Sequence, residues 1–129
     1  MKKIISIILR LVAAFIMVQT LYFKFTGQPE SIYIFTEIGM EPWGRIGTGV
    51  AELIASVLLL VPATILIGAI MAIGIMLGAV VTHLFILGIE VQGDGGQLFA
   101  YALIVLLASI TLVILHFDQV ASYRRMLTR

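Results

Sequence analysis

Of the chain's 129 residues, 61% are hydrophobic and only 12% charged, and the mean hydropathy is +1.16. Soluble domains average about 45–50% apolar and about 25% charged residues, so this composition excludes an ordinary soluble protein. A net charge of +1, with basic residues at the ends rather than on one face, gives no case for nucleic acid as a partner. The absence of cysteine excludes thiolate nucleophiles, disulfides, iron–sulfur ligation and a Cys-x-x-Cys redox pair.

Met1-Lys2-Lys3 followed by Ile4 to Phe23 has the basic start and apolar run of a signal peptide. A signal h-region, however, is about 7–15 residues and ends at a small-residue cleavage site. This run is about the 20 residues needed to cross a bilayer and has no such site, so residues 4–23 are expected to form an uncleaved first span. Ser6, Arg10, Ala13, Met17, Thr20 and Lys24 recur at steps of four and three, which makes one seam facing other helices. At the depth of Arg10, its long side chain is expected to reach back to the membrane surface.

Lys24 to Arg45 is the longest polar section. Pro29 and Glu30 suit a helix start, Ile32, Phe35 and Ile38 fall on one side, and Gly39 suits a stop. A short amphipathic helix lying at the membrane surface follows, with Tyr33 and Trp43 at headgroup level.

From Ile46 to Leu87 the chain is apolar for about twice the length of one crossing. Pro62-Ala63-Thr64 is the only punctuation, so the expected spans are 46–61 and 64–87, with Thr64 capping the later helix. Gly74 and Gly78 make a GxxxG spacing, for which packing within the bundle is favoured over dimerisation. Gly88 to Gln97 is a polar turn, 98–117 a fourth span, and Asp118 to Arg129 a short basic tail. The whole is expected to be a single domain, 1–129: an all-α, integral membrane four-helix bundle with a short interfacial helix in its first outer loop. Lys2, Lys3, Arg10, Arg124, Arg125 and Arg129 gather at one end, so the positive-inside rule places both termini in the cytoplasm.

Glu52 is the residue that demands an explanation. In a helix, Thr48, Glu52 and Ser56 share one face with Arg45 a step further out, while Ile46, Val50, Leu53, Ile54, Val57 and Leu58 are fit for lipid. A charge at mid-bilayer costs about 2.5–3.5 kcal/mol on insertion scales, so Glu52 should face inward and pair. Counting down the helices puts His83 in the same layer, with Thr20 and Lys24 arriving from the first span, Arg45 above, and Gln97 and Tyr101 opening the fourth span. Two alternatives stand for this layer: internal neutralisation of Glu52 by Lys24, Arg45 or His83, which fixes helix register, or a ligand site at Glu52, His83, Lys24, Arg45, Thr48, Ser56, Thr20 and Tyr101. His116 lies too far from His83 for the two to share a haem and reads as an interfacial residue. No cluster has metal-ligand spacing, and no nucleophile motif or phosphate loop is present.

The segments Lys24-Phe25-Thr26-Gly27, Phe35-Thr36-Glu37-Ile38-Gly39, Gly49-Val50-Ala51-Glu52-Leu53 leading to Leu60-Val61-Pro62, and Gly78-Ala79 with His83 resemble the DoxX family of small bacterial membrane proteins. The resemblance covers nearly the whole chain and makes Lys24, Gly27, Gly49, Glu52, Pro62 and His83 its characteristic positions, without assigned chemistry. It implies a four-helix protein of the bacterial inner membrane, associated with membrane redox systems or with assembly of other membrane proteins. The expectation is a non-catalytic accessory subunit of a redox-linked membrane complex, with no covalent cofactor and with a quinone or lipid held near Glu52. Its partners would be the bilayer and another membrane protein or further copies of itself. The alternatives are a small oligomeric transporter or permease, or a purely structural assembly factor.

Overall fold

The computed structural model describes residues 1–128 and is helical almost throughout. Its elements are α1 (Lys2–Phe25), α2 (Pro29–Glu37), α3 (Trp43–Leu60), α4 (Ile65–Thr82), α5 (Gln97–Leu115) and α6 (Gln119–Leu127). A 3₁₀ turn, Pro62–Thr64, joins α3 to α4, and a π-helical turn, His83–Leu87, ends α4. Counting that turn with α4, four helical segments are long and apolar enough to cross a membrane. Eighteen helical residues rise about 27 Å and twenty-four about 36 Å, against an apolar core of about 30 Å. The expected spans are therefore present, with α1 running two residues beyond 4–23 at each end and α3 starting at Trp43.

Around the bundle the order is α1, α3, α4, α5, each packed on the next and α5 closing on α1. The core between them is built from Ala13, Met17, Leu59, Ala69, Val105 and Leu112, all at most 1% exposed. The α1 seam behaves as its spacing predicts, since Ser6, Ala13 and Met17 are buried while Phe15 and Val18 face out. On α3, Glu52 and Ser56 are buried, Thr48 is half-buried, and Ile46, Val50, Leu53, Ile54 and Val57 are exposed to the bilayer side.

Close approach between α3 and α4 is set by Gly68, next to their shared turn. A Cβ there would lie 2.8 Å from the Leu59 nitrogen and 3.1 Å from the Ala55 oxygen. The expected packing role of Gly74 and Gly78 is not what the structure shows: a Cβ on either would meet nothing within 4 Å. The two helices touch at the turn, and further along α4 these two glycines face open space.

At the end carrying the termini, polar side chains satisfy the broken backbone of the 62–64 turn. Helix ends leave carbonyls and N–H groups without intrahelical partners, and proline removes another donor. Arg10 reaches toward that end of the bundle and bonds the last carbonyls of α3. Its Nε donates to the Leu59 carbonyl at 2.6 Å and its Nη2 to that of Leu60 at 3.0 Å. Thr64 stands at the N-cap of α4 as expected, but its side chain makes no capping bond; its hydroxyl donates backward to the Leu58 carbonyl at 2.8 Å. The N–H of Leu66 is instead taken by Gln119 Oε1 at 2.9 Å, while Gln119 Nε2 donates to Pro62 and the Tyr123 hydroxyl to Ala63. These contacts fold the expected basic tail into α6, a helix too short to hold without tertiary support. Nearby, Ser6 and His116 share a hydrogen bond of 2.6 Å, tying the start of α1 to the end of α5.

Candidate functional site

At the opposite end, which carries the loops, the chain first builds a roof. Pro29 starts α2, Gly39 ends it in the left-handed conformation at φ +73°, and Ser31 and Phe35 turn down into the protein. The 88–97 loop is held by Asp94. Its Oδ1 accepts from the N–H groups of Val91 and Gly96 at 3.0 and 2.8 Å, and its Oδ2 from Leu98 at 3.2 Å, which supplies α5 with its start. Burial alone would raise this carboxyl, but the three backbone donors, with His83 nearby, outweigh it and hold Asp94 below the usual carboxylate range.

Below the roof lies the buried ion pair. Lys24 Nζ and Glu52 Oε1 are 2.6 Å apart, with their side chains 16% and 3% exposed. The Thr20 hydroxyl sits 3.2 Å from Glu52 Oε2 and 2.8 Å from the Met17 carbonyl, and can donate to one of them at a time. Gly49 lets the Phe25 ring close over α3, where a Cβ would fall 2.7 Å from it, and this contact sets the spacing of the two helices that carry the pair.

The other residues expected in this layer divide. Arg45 does not join Glu52: it pairs with Glu41 at 2.9 Å and donates to the Lys24 carbonyl, so it anchors the end of α1 instead. Ser56 is buried on the Glu52 face, but its hydroxyl is spent on the Glu52 carbonyl, 2.8 Å away. His83 makes no bond to Glu52 either. Its Nδ1 lies 3.1 Å from the Gly88 carbonyl, and its ring meets the edge of Phe99 with centroids 5.6 Å apart. Tyr101 accepts a hydrogen bond from Gln97 at 2.9 Å.

What brings these groups together is a cavity of about 710 Å³. Lys24, Glu52, Thr20, Thr48, His83 and Tyr101 all line it, whereas Arg45 and Ser56 do not. Gly47, Gly74 and Gly78 line it as well, and a Cβ at any of the three would meet nothing within 4 Å. Much of the remaining wall is apolar, including Met17, Phe35 and Ala102. The volume lies within the range of about 300–1,000 Å³ usual for small-molecule sites.

Among the lining residues that sequence reasoning missed are Ser31 and Glu30. Ser31 is 5% exposed, and Glu30 beside it is raised above the usual carboxylate range by burial and by the charge of Asp94. Both sit in a segment whose polarity marks it as surface, and only the folding of α2 over the bundle turns them inward. Among the described residues no group of three His, Asp or Glu side chains could hold a metal ion. The cavity wall combines polar side chains with hydrocarbon.

Comparison with known proteins gives one match: the model of the DoxX-like family covers residues 8–113, a stretch that contains Lys24, Glu52 and His83. No curated protein and no solved structure matches the chain.

Proposed function

The chain belongs to the DoxX-like family, and from that premise we propose that it is a non-catalytic accessory subunit of a redox-linked complex in the bacterial inner membrane, holding a quinone or lipid in the cavity beside Lys24 and Glu52. The observation that carries this proposal is the cavity itself, about 710 Å³ bounded by a buried ion pair and by apolar side chains. A pair fixed only for helix register needs no cleft beside it, whereas this one borders a cavity that opens to the outside. Here the walls recede at Gly47, Gly74 and Gly78. Neutralisation of Glu52 by Lys24 and ligand binding are compatible: the pair lowers the cost of a polar wall inside the membrane, and the wall then orients a polar head.

The basic residues Lys2, Lys3, Arg10, Arg124 and Arg125 all belong to the end with the termini, which supports a cytoplasmic location for that end and, with it, an outer-half position for the cavity. The test is gentle purification followed by native mass spectrometry of the wild type and of Gly78→Phe, which fills the cavity where an added side chain meets open space. A quinone or lipid retained by the wild type and lost from the variant supports the proposal, as does a copurifying redox protein. A wild type that carries nothing, or a variant that carries as much, refutes it.

A further inference from the structure

Two of the most buried polar side chains on the cavity wall keep an atom without a hydrogen-bond partner, and they are not the ones at Glu52. His83 is 5% exposed, and its single hydrogen bond runs through Nδ1 to the Gly88 carbonyl. A carbonyl oxygen only accepts, so Nδ1 carries the hydrogen and, in the neutral ring, Nε2 presents a lone pair. Nε2 has no partner among the described residues, and neither has the hydroxyl of Ser31, also 5% exposed. Both atoms open onto the cavity, where a ligand or water can complete them.

The charges on the wall narrow the ligand further. Lys24 is neutralised by Glu52 at 2.6 Å. Glu30 also lines the cavity and has no ion-pair partner among the described residues. Among the described residues no lysine or arginine on the wall is left unpaired for an anionic head. Tyr101 accepts from Gln97, which leaves its own proton free to donate to an oxygen.

We propose that the occupant of this cavity is an uncharged lipid-phase molecule whose head carries a hydroxyl group, donated to His83 Nε2 and read at the same time by Ser31 and Tyr101. The proposal rests on the cavity being a ligand site, and it adds the chemistry that the site selects. Hydroquinones and diacylglycerols share that chemistry. Oxidised quinones lack the donor, and anionic phospholipids carry the wrong charge.

Trp43, the only tryptophan, lines the cavity and reports its occupancy by fluorescence. The full chain in detergent is titrated with decylhydroquinone under reducing conditions, with the oxidised decylquinone, with dioctanoylglycerol and with dioctanoylphosphatidylglycerol. Decylhydroquinone, dioctanoylglycerol or both should bind about tenfold or more tightly than the other two probes, since a site built for a donor rejects analogues that lack it. Which of the two binds identifies the source of the hydroxyl. His83→Asn keeps a donor near the position of Nδ1 and removes Nε2, so it should abolish this preference by weakening the hydroxyl-bearing probes about tenfold more than decylquinone. If that variant loses its fold, Ser31→Ala supplies the same comparison with a smaller selective loss. Equal binding of all four probes, or a uniform loss in the variants, overturns the hydroxyl assignment and leaves the cavity a ligand site. Binding of no probe, with wild type and Gly78→Phe alike, overturns both.

Discussion

Lys24→Met offers the sharpest check on the buried pair. It leaves Glu52, at 3% exposure, with the Thr20 hydroxyl at 3.2 Å as its only remaining side-chain partner, and that hydroxyl is shared with the Met17 carbonyl. Removing one member of a buried pair costs about 3–5 kcal/mol. The Lys24 side chain is 16% exposed, so some water reaches the site and the lower end, about 3 kcal/mol, is expected. Glu52→Leu strands the more exposed partner and should cost less, about 2 kcal/mol. The double variant removes both charges and should be within about 1 kcal/mol of the wild type, because a buried pair replaced by apolar side chains of similar size is often near neutral. The assay is equilibrium unfolding of the four proteins in mixed detergent micelles, read by circular dichroism, and the expected coupling is about 4–5 kcal/mol. Additive costs, with the double variant the least stable of the four, would refute the claim that Lys24 and Glu52 act as a unit.

Three further outcomes follow from the same coordinates. Gly74→Ala and Gly78→Ala should each stabilise α4 or leave it unchanged, by up to about 0.5–1 kcal/mol in melting experiments, whereas Gly68→Ala should destabilise it, because the new Cβ meets the backbone of α3 at 2.8 Å. A loss of stability at Gly74 that depends on protein concentration would show that this glycine packs against a second copy instead. Arg10→Met removes two charge-assisted hydrogen bonds to the Leu59 and Leu60 carbonyls and should cost about 2–3 kcal/mol on thermal unfolding; an unchanged melting temperature would mean that water serves those carbonyls equally well. Asp94 has a lowered pKa in the folded protein, so its contribution to stability is complete above the ordinary carboxylate range of about pH 4 and is lost as the pH falls through its lower folded value. Hydrogen exchange of the 88–97 loop should accelerate across that acid window in the wild type and show a flatter response in Asp94→Asn.

The sequence by itself determined the four spans, the helix after Pro29 and the inward face of α3. The reason is that a bilayer penalises polar groups by position along a helix, so length, hydropathy and four-residue spacing carry most of the information. That Glu52 would need a partner was legible, and Lys24 was among those named. Which partner it takes was not, because Lys24, Arg45 and His83 all reach its layer; the four-residue spacing of Glu41 and Arg45 offered a local pair, but the structure was needed to show that Arg45 takes it and that His83 turns to Gly88. The same limit hid Arg10 bridging to the end of α3 and Gln119 filling the 62–64 turn, since hydrogen bonds between residues about 50 apart leave no local pattern. It also hid Ser31, whose polar surroundings mark it as surface until α2 folds over the bundle. The GxxxG spacing misled for a related physical reason: spacing shows that two helices can approach closely, and only their crossing decides whether they do. At Gly68 they meet, and at Gly74 and Gly78 the same spacing of small residues borders the cavity.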